Sequence, residues 1–326
     1  MSDLKLKVGF IGLGNVGAKL SGTLLRNDIS LCVHDLNDEL VDDFVARGAN
    51  RADSPKQIAE QVDVVVTCLP SPQACSQVME ASDGVIAGLT AGKIWLEMST
   101  TDSTEMARIG QLVAAKGAMP VDCPVSGGCH RAATGNISIF AGCTREAFDR
   151  VLPILTTMGR RVVHTGALGT ASQLKVLTNY LCTMQLAALA EALTVAKMSG
   201  LDMNVTYEAI KASSGNSFVH ETESQVILNG SRDINFTMDL VVKDIGLFDQ
   251  LARDCGVPLE FSPMLVKVFT EAMTEYGPRE FSPNIIRRYE EPCGVKVLGV
   301  DFPDDLVDDE AEEQGTEVVV RGRQDY

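Results

Sequence analysis

The chain has 326 residues, 45 % of them hydrophobic and only 5 % aromatic, a balance that points to a soluble globular α/β protein with a large buried core. A formal charge of −16 argues against binding nucleic acid through its phosphates. No apolar run reaches the roughly 20 residues needed to span a bilayer, and residues 1–7 are too short and polar for a secretory signal, so a cytoplasmic location without membrane contact is expected.

Residues 6–11 form a short apolar run, followed at once by Gly12-Leu13-Gly14-Asn15-Val16-Gly17 and an amphipathic stretch to about residue 27. This is the order of strand, glycine turn and helix. Gly12 permits the tight turn, Gly14 lets a pyrophosphate approach the backbone, and Gly17 lets the helix pack on the strand. Asn15 and Val16 then stand at the helix amino end, which faces the phosphates. A second apolar run, 29–33, ends in His34-Asp35, where an acidic residue accepts from an adenosine ribose. No arginine follows Asp35, which favours NAD over NADP.

Helices are expected near 37–47 and 54–61, then a strand over 62–68 that runs into Leu69-Pro70-Ser71-Pro72. A loop with two prolines at the carboxyl end of a parallel strand is where ligands sit in such sheets. The next strand, 93–98, runs into Ser99-Thr100-Thr101-Asp102, and a helix starts near Ser103. These hydroxyls either contact a nicotinamide ribose or cap the helix. A strand over 119–122 leads into Cys123-Pro124-Val125-Ser126-Gly127-Gly128, whose glycines expose consecutive N–H groups that suit a carboxylate, with a simple turn as the competing explanation. Strands over 136–142 and 161–164, with a helix over 145–158 between them, complete a dinucleotide-binding domain of residues 1–165.

A glycine-rich start at Gly166 opens a stretch without proline through Gly200. Leu174, Leu177, Leu181, Met184, Ala188 and Ala192 recur at three- and four-residue steps, predicting one long buried interdomain helix over 166–200. On it Lys175 and Asn179 are four apart and share a face. Lys175 either snorkels to water or, desolvated, loses proton affinity and trades a proton as a general acid/base. Helices near 204–212, 238–255 and 262–276 make residues 201–290 an all-α domain for substrate binding or oligomerisation. Within it Ser213-Ser214-Gly215-Asn216-Ser217 is a polar break, and Lys243 lies on a mainly apolar helix, reaching either a cleft or solvent.

Residues 291–326 carry eleven acidic and three basic residues, half of the net charge, with no strong periodicity except over 316–320, which can add a strand. Nine cysteines are scattered without a C-x-x-C pair, and Cys129-His130 is an isolated couple. The thiols are read as reduced, mostly buried and not catalytic, and no metal site is expected.

Four motifs in this order resemble the β-hydroxyacid dehydrogenases, the group containing 3-hydroxyisobutyrate dehydrogenase and tartronate semialdehyde reductase. They are Gly9-Phe10-Ile11-Gly12-Leu13-Gly14-Asn15-Val16-Gly17, Asp122-Cys123-Pro124-Val125-Ser126-Gly127-Gly128, the stretch 166–179, and Lys243-Asp244. The resemblance implies a Rossmann-type doubly wound amino-terminal domain joined by the long helix to an all-α carboxyl-terminal domain, in a homodimer or homotetramer. It implies an NAD-dependent oxidoreductase that interconverts a small β-hydroxy acid and its semialdehyde or keto form. Lys175 would be the acid/base, and Asn179 would hold the substrate and orient Lys175. Ser126, Gly127 and Gly128 would bind the substrate carboxylate, with Phe236 a further substrate contact. Leu69, Pro70 and Thr100 would line the cofactor, Thr100 between substrate and nicotinamide, and Lys243 would close the site.

The sequence departs from the family pattern at Val16, often methionine, and at Cys123, often alanine. The tail past about Glu290 exceeds the usual family end and is expected to pack on a neighbouring subunit or stay disordered, with disorder favoured over 304–313. Substrate choice would rest with His130, Arg131, Ser213, Asn216, Ser217 and His220; Arg131 or His220 could recognise a second acidic group, with a surface arginine and a satisfied histidine as the favoured alternatives. Among rivals, an imine reductase generally lacks the lysine and 6-phosphogluconate dehydrogenase has a much larger helical domain. A non-catalytic dinucleotide sensor or scaffold has no need of Lys175 with Asn179.

Overall fold

The computed structural model of the chain describes residues 6–322. Residues 1–5, most of the stretch weighed as a secretory signal, and the last four residues of the acidic tail lie outside the described residues. The chain forms two compact units: one holds the residues up to Lys175 together with those from Asp309 onward, the other spans Val176–Asp308.

The first unit alternates strands and helices. β1 (Val8–Ile11), α1 (Gly17–Arg26), β2 (Leu31–His34), α2 (Asp38–Ala46), β3 (Asn50–Arg51), α3 (Pro55–Gln61) and β4 (Val64–Thr67) form its first half. α4 (Pro72–Glu80), α5 (Val85–Gly88), β5 (Ile94–Glu97), α6 (Ser103–Ala115) and β6 (Met119–Asp122) continue it. β7 (Val125–Ser126), α7 (Gly128–Thr134), β8 (Ile137–Gly142), α8 (Arg145–Met158) and β9 (Gly159–Gly166) complete it, and α9 (Thr170–Met198) follows. Helix starts follow local chemistry: Asn37, Ser54, Ser71, Asp102 and Thr144 each accept a hydrogen bond from a backbone N–H of the first turn. α1 begins without a side-chain cap.

With β10 (Thr316–Glu317), one sheet runs in the order β10-β9-β8-β6-β5-β4-β1-β2-β3, parallel except where β8 meets β6 and β7. Its central strands are buried along their whole length, as parallel strands covered on both faces must be. Side chains alternate between two cores: Val8, Phe10, Val64, Val66, Ile94 and Leu96 point one way, Ile11, Val65 and Trp95 the other.

β10 (Thr316–Glu317) pairs in parallel with β9, Thr316 opposite Arg161, at the sheet edge. The strand expected over 316–320 is therefore present, shortened to two residues. The sequence reading favours disorder over 304–313; within that stretch Glu310, Glu312 and Glu313 each meet an arginine of the first unit. A segment with few apolar side chains is held here by backbone pairing and charge, which hydrophobic patterning does not register.

In the second unit the remainder of α9 packs with α10 (Met203–Lys211), α11 (Phe218–Leu228), α12 (Met238–Asp254), α13 (Phe261–Tyr276), a 3-10 turn (Ser282–Ile286) and α14 (Arg287–Cys293) around Leu186, Leu193, Ile227, Val241 and Phe269. The sequence reading passed over α11. It is buried nearly all round, including His220, Thr222, Glu223 and Ser224, so it shows no amphipathic period.

α9 requires two corrections. The stripe expected to be buried is its open side: Leu174, Leu177 and Leu181 are 39 %, 39 % and 56 % exposed, and Ala188 and Ala192 are exposed too. The packed stripe is instead Ser172, Lys175, Val176, Thr183, Leu186, Ala190 and Leu193. A helix apolar on most sides gives no phase, so the period was right and its orientation was not. Its 29 residues also contain an 18-residue window of mean hydropathy 1.2, long and apolar enough to cross a membrane by length and composition. Polar residues interrupt that window, so it contains no unbroken apolar run of spanning length.

Candidate active site

The glycine turn after β1 is built from close approaches. Gly12 has φ +96°, and a Cβ there would lie 2.3 Å from the Cys68 carbonyl oxygen; one on Gly17 would lie 2.0 Å from the Gly12 oxygen. Around Gly14, by contrast, a Cβ would meet nothing within 4 Å. The first and third glycines hold the turn against its neighbours while the second leaves its face open, beside a helix start with no side-chain cap. That is the arrangement a pyrophosphate needs. Asn15 and Val16 occupy the turn, Asn15 exposed.

At the end of β2, Asp35 accepts from the Leu13 N–H at 2.6 Å and from the Asn37 N–H at 2.8 Å. Its carboxylate is thereby locked beside the glycine turn. Leu36 next to it is 98 % exposed, an apolar side chain with no protein to cover it. The residues present fit an adenine dinucleotide.

The loops after β4 and β5 are joined to one another. The Leu69 N–H donates to Ser99 Oγ at 2.7 Å, and the Ser99 N–H donates to Glu97 at 2.7 Å. Glu97 also accepts from Thr67 Oγ1 and Cys75 Sγ, while Trp95 Nε1 donates to Thr67. Burial pushes the Glu97 carboxyl up, against the pull of these donors. Asp102, and neither Ser99 nor Thr101, caps α6. Ser99 is a linker between loops, Pro70 is exposed beside it, and Thr100 is half-buried at the bend.

After β6, Ser126 precedes Gly127 and Gly128, whose φ values of +132° and +86° explain why glycine stands at both. Arg131 Cδ would lie 3.4 Å from a Cβ on Gly127, and the His130 ring within 3.0 Å of one on Gly128. Both side chains suggested for substrate choice therefore border the turn.

Lys175 is only 8 % exposed, one turn past Ser172, whose N–H and hydroxyl both donate to Asp122 at 2.7 Å. Burial raises the Asp122 carboxyl to about 6, partly offset by those bonds. Asp122 and Glu97 are register partners on adjacent strands. Sequence reasoning gave neither a role, although Asp122 opens one of the four family motifs. Each is the acidic residue at the carboxyl end of a buried apolar strand, and that contrast was the available signal.

The second unit carries Asn179, Phe236 and Lys243. Asn179 stands one turn beyond Lys175 on α9 and donates through Nδ2 to Asp244 at 2.5 Å. Lys243 Nζ lies 2.9 Å from Asp244, which is buried. Phe236 packs against the helical core just before α12. His220 is enclosed, with Nδ1 and Nε2 in hydrogen bonds to Ser224 and the Tyr207 carbonyl. Ser217 caps α11, and Asn216 donates to Glu221. These three serve the helical unit itself.

Burial pushes the Cys68 thiol up to about 12 and Cys123 well above its usual range, which makes both poor nucleophiles. Among the described residues no group of three or more His, Cys, Asp or Glu side chains is placed to hold a metal.

A mainly parallel sheet with a glycine turn after its first strand, an acid just after its second and a buried lysine on the helix after β9 defines a dinucleotide-dependent oxidoreductase. Residues 7–166 match the family described as the NAD binding domain of 6-phosphogluconate dehydrogenase, and residues 169–289 that described as NAD-binding of NADP-dependent 3-hydroxyisobutyrate dehydrogenase. The chain is 31 % identical to 2-(hydroxymethyl)glutarate dehydrogenase of Eubacterium barkeri, over 91 % of this chain and 99 % of that one. It is also 31 % identical to the NAD-dependent L-serine dehydrogenase of Pseudomonas aeruginosa, over 85 % and 95 % of the two chains. A crystal structure of 3-hydroxyisobutyrate dehydrogenase from Salmonella typhimurium matches with TM-score 0.80 at 28 % identity, covering 87 % of this chain and 99 % of that one. The chain belongs to the 3-hydroxyisobutyrate dehydrogenase family of β-hydroxyacid dehydrogenases, nicotinamide-dinucleotide enzymes that act on the CH–OH group of hydroxy acids.

Proposed function

We propose that the chain interconverts a small β-hydroxy acid and its semialdehyde or keto form, with Lys175 as the acid/base. The observation that carries this reading is the burial of Lys175 on a helix turn fixed by Asp122. A surface lysine has no such setting. NAD, when bound, accepts hydride from the substrate carbon in oxidation and returns it in reduction. Gly12, Gly14 and Gly17, with the backbone of Asn15 and Val16, hold its pyrophosphate, and Asp35 accepts from its ribose. Leu69, Pro70 and Thr100 line the nicotinamide end.

Ser126, Gly127 and Gly128 offer N–H groups to the substrate carboxylate. Lys175 takes the proton from the hydroxyl oxygen in oxidation and gives it back to the carbonyl oxygen in reduction, and its positive form stabilises charge developing on that oxygen. Asn179, one turn away, orients it and holds the substrate. Phe236 and Lys243 are the other residues of the second unit that the family resemblance assigns to the ligands. Asp35 with no following arginine supports NAD over NADP.

The exposed apolar face of α9, with Leu181, Val195 and Met198 all more than half exposed, supports a subunit contact in a homodimer or homotetramer. The packing of its other face into the helical core supports that role over a bilayer span. The charge of −16 supports the absence of nucleic-acid binding, and the scattered free thiols support a cytoplasmic location.

The test is NADH formation at alkaline pH across 3-hydroxyisobutyrate, glycerate, 3-hydroxypropionate, 4-hydroxybutyrate, threonate, serine and sulfonate analogues, with Lys175→Met as control. Turnover of one substrate that the control abolishes supports the reading. Tight NAD binding with no turnover across the panel counts against it and favours a dinucleotide sensor.

A further inference from the structure

The acidic tail past residue 289 lies outside the segments matched by the two family descriptions. On the first unit it does more than extend the sheet. The Gly315 N–H donates to the Thr156 carbonyl at 2.8 Å, and a Cβ on Gly315 would fall 1.8 Å from the Gly159 oxygen, so this approach requires glycine. Glu317 takes two hydrogen bonds from Arg145, and Glu313 meets Arg160. Those contacts hold the sheet edge.

Glu310, which also meets Arg161 of the edge strand β9, and Glu312 reach α7 as well. The Asn136 side chain, just past that helix, donates to the Glu310 carbonyl at 2.8 Å. The Glu310 carboxylate lies 2.8 Å from Arg161 and 3.5 Å from Arg131 in the middle of α7. One amino group of Arg26 donates both to Glu312 at 2.8 Å and to the Ala133 carbonyl at 2.9 Å, at the last turn of α7. α7 has only seven residues, and its first is Gly128. A helix of two turns is marginal alone, so its position depends on what holds it.

We propose that the tail braces α7, and through it positions the Gly127–Gly128 turn, with Glu310 and Glu312 as the positioning residues. The inference rests on the reading of that turn as the carboxylate site. The brace acts on substrate and not on NAD, because none of its contacts involves the glycine turn after β1.

The experiment compares two full-length double variants, Glu310→Ala with Glu312→Ala and Glu313→Ala with Glu317→Ala. The first removes three ion pairs, to Arg161, Arg131 and Arg26, and the second two, to Arg160 and Arg145, so both should lower the melting temperature slightly. Only the first should speed amide hydrogen exchange over residues 128–136, and only the first should raise KM for the hydroxy acid, by roughly three- to tenfold, with NAD affinity unchanged. Equal changes in both variants, or unchanged exchange in the first, would overturn the brace. Exchange in α7 is read without substrate, so it decides the matter even if no member of the panel is turned over. Faster exchange with an unaltered KM would instead remove the carboxylate assignment while leaving α7 braced, and so overturn the positioning role.

Discussion

Ser172 gives both its backbone N–H and its hydroxyl to the buried carboxylate of Asp122, each at 2.7 Å, three residues before Lys175. Asp122 ends β6, the strand that leads into Ser126-Gly127-Gly128. One carboxylate therefore fixes the register between the proposed carboxylate turn and the helix turn of the proposed acid/base. Ser172→Ala should remove one charge-assisted bond, worth about 1.5–3 kcal/mol. The expected result is a lower melting temperature and turnover reduced roughly tenfold, with NAD affinity intact. Turnover equal to wild type would show that this bond is purely structural.

Lys175→Met keeps the length and apolar stem while deleting the exchangeable proton. Turnover should fall by about two to four orders of magnitude, the usual scale for a lost acid/base. NAD affinity, measured by fluorescence or calorimetry, should be nearly unchanged. Retained turnover would remove Lys175 from the chemistry.

On the proposed reading, in which the carboxylate accepts from a ribose hydroxyl and repels a 2′-phosphate, Asp35→Ala should weaken NAD binding more than NADP binding. The ratio of the two dissociation constants is the quantity to measure. An unchanged ratio would mean that the ribose is read elsewhere.

Ser99→Ala leaves the Leu69 N–H without the acceptor it has at 2.7 Å. An unsatisfied backbone donor costs about 1–3 kcal/mol, so the loop after β4 should shift or loosen. NAD affinity should fall about tenfold and Ser99→Thr should restore most of it. Equal affinity in the alanine variant would detach this link from cofactor binding.

Glu223 on α11 provides a test of stability against pH. Burial raises its carboxyl from 4.5 to about 7, opposed only by Cys182, and its Oε2 has no hydrogen-bond partner among the described residues. The folded state holds this proton more tightly than the unfolded state, so stability should decline as pH rises from about 4.5 to about 7 and then level off. The loss is on the order of 3 kcal/mol at most. Glu223→Gln should flatten that slope in urea unfolding curves. A slope identical to wild type would assign the pH dependence to Asp122 and Glu97 instead.

Much of the fold was legible because its signals are local. The run before Gly12, the glycines themselves, the apolar strands near 64–67 and 94–97, and the proline-free stretch after Gly169 each obey short-range rules of turn, strand and helix. The candidate site was legible where a residue's chemistry is exceptional for its neighbours, as with Lys175 among leucines or Asp35 after an apolar strand. Glu97 escaped notice and Asp122 was read only as part of a motif, because a lone acid near a strand end is common, and only the donors gathered around it from distant segments set it apart.

What the sequence by itself determined was the order of elements, the glycine turn and the spacing of Lys175 and Asn179 on one helix, since covalent spacing and local propensity suffice for these. What only the tertiary structure decided was which side of α9 packs inward and where the acidic tail lies. A helix apolar all round has no preferred face until its partners are chosen. A charged tail has no preferred place until the arginines of residues 26, 131, 145, 160 and 161, far apart in sequence, stand along one edge of the folded unit.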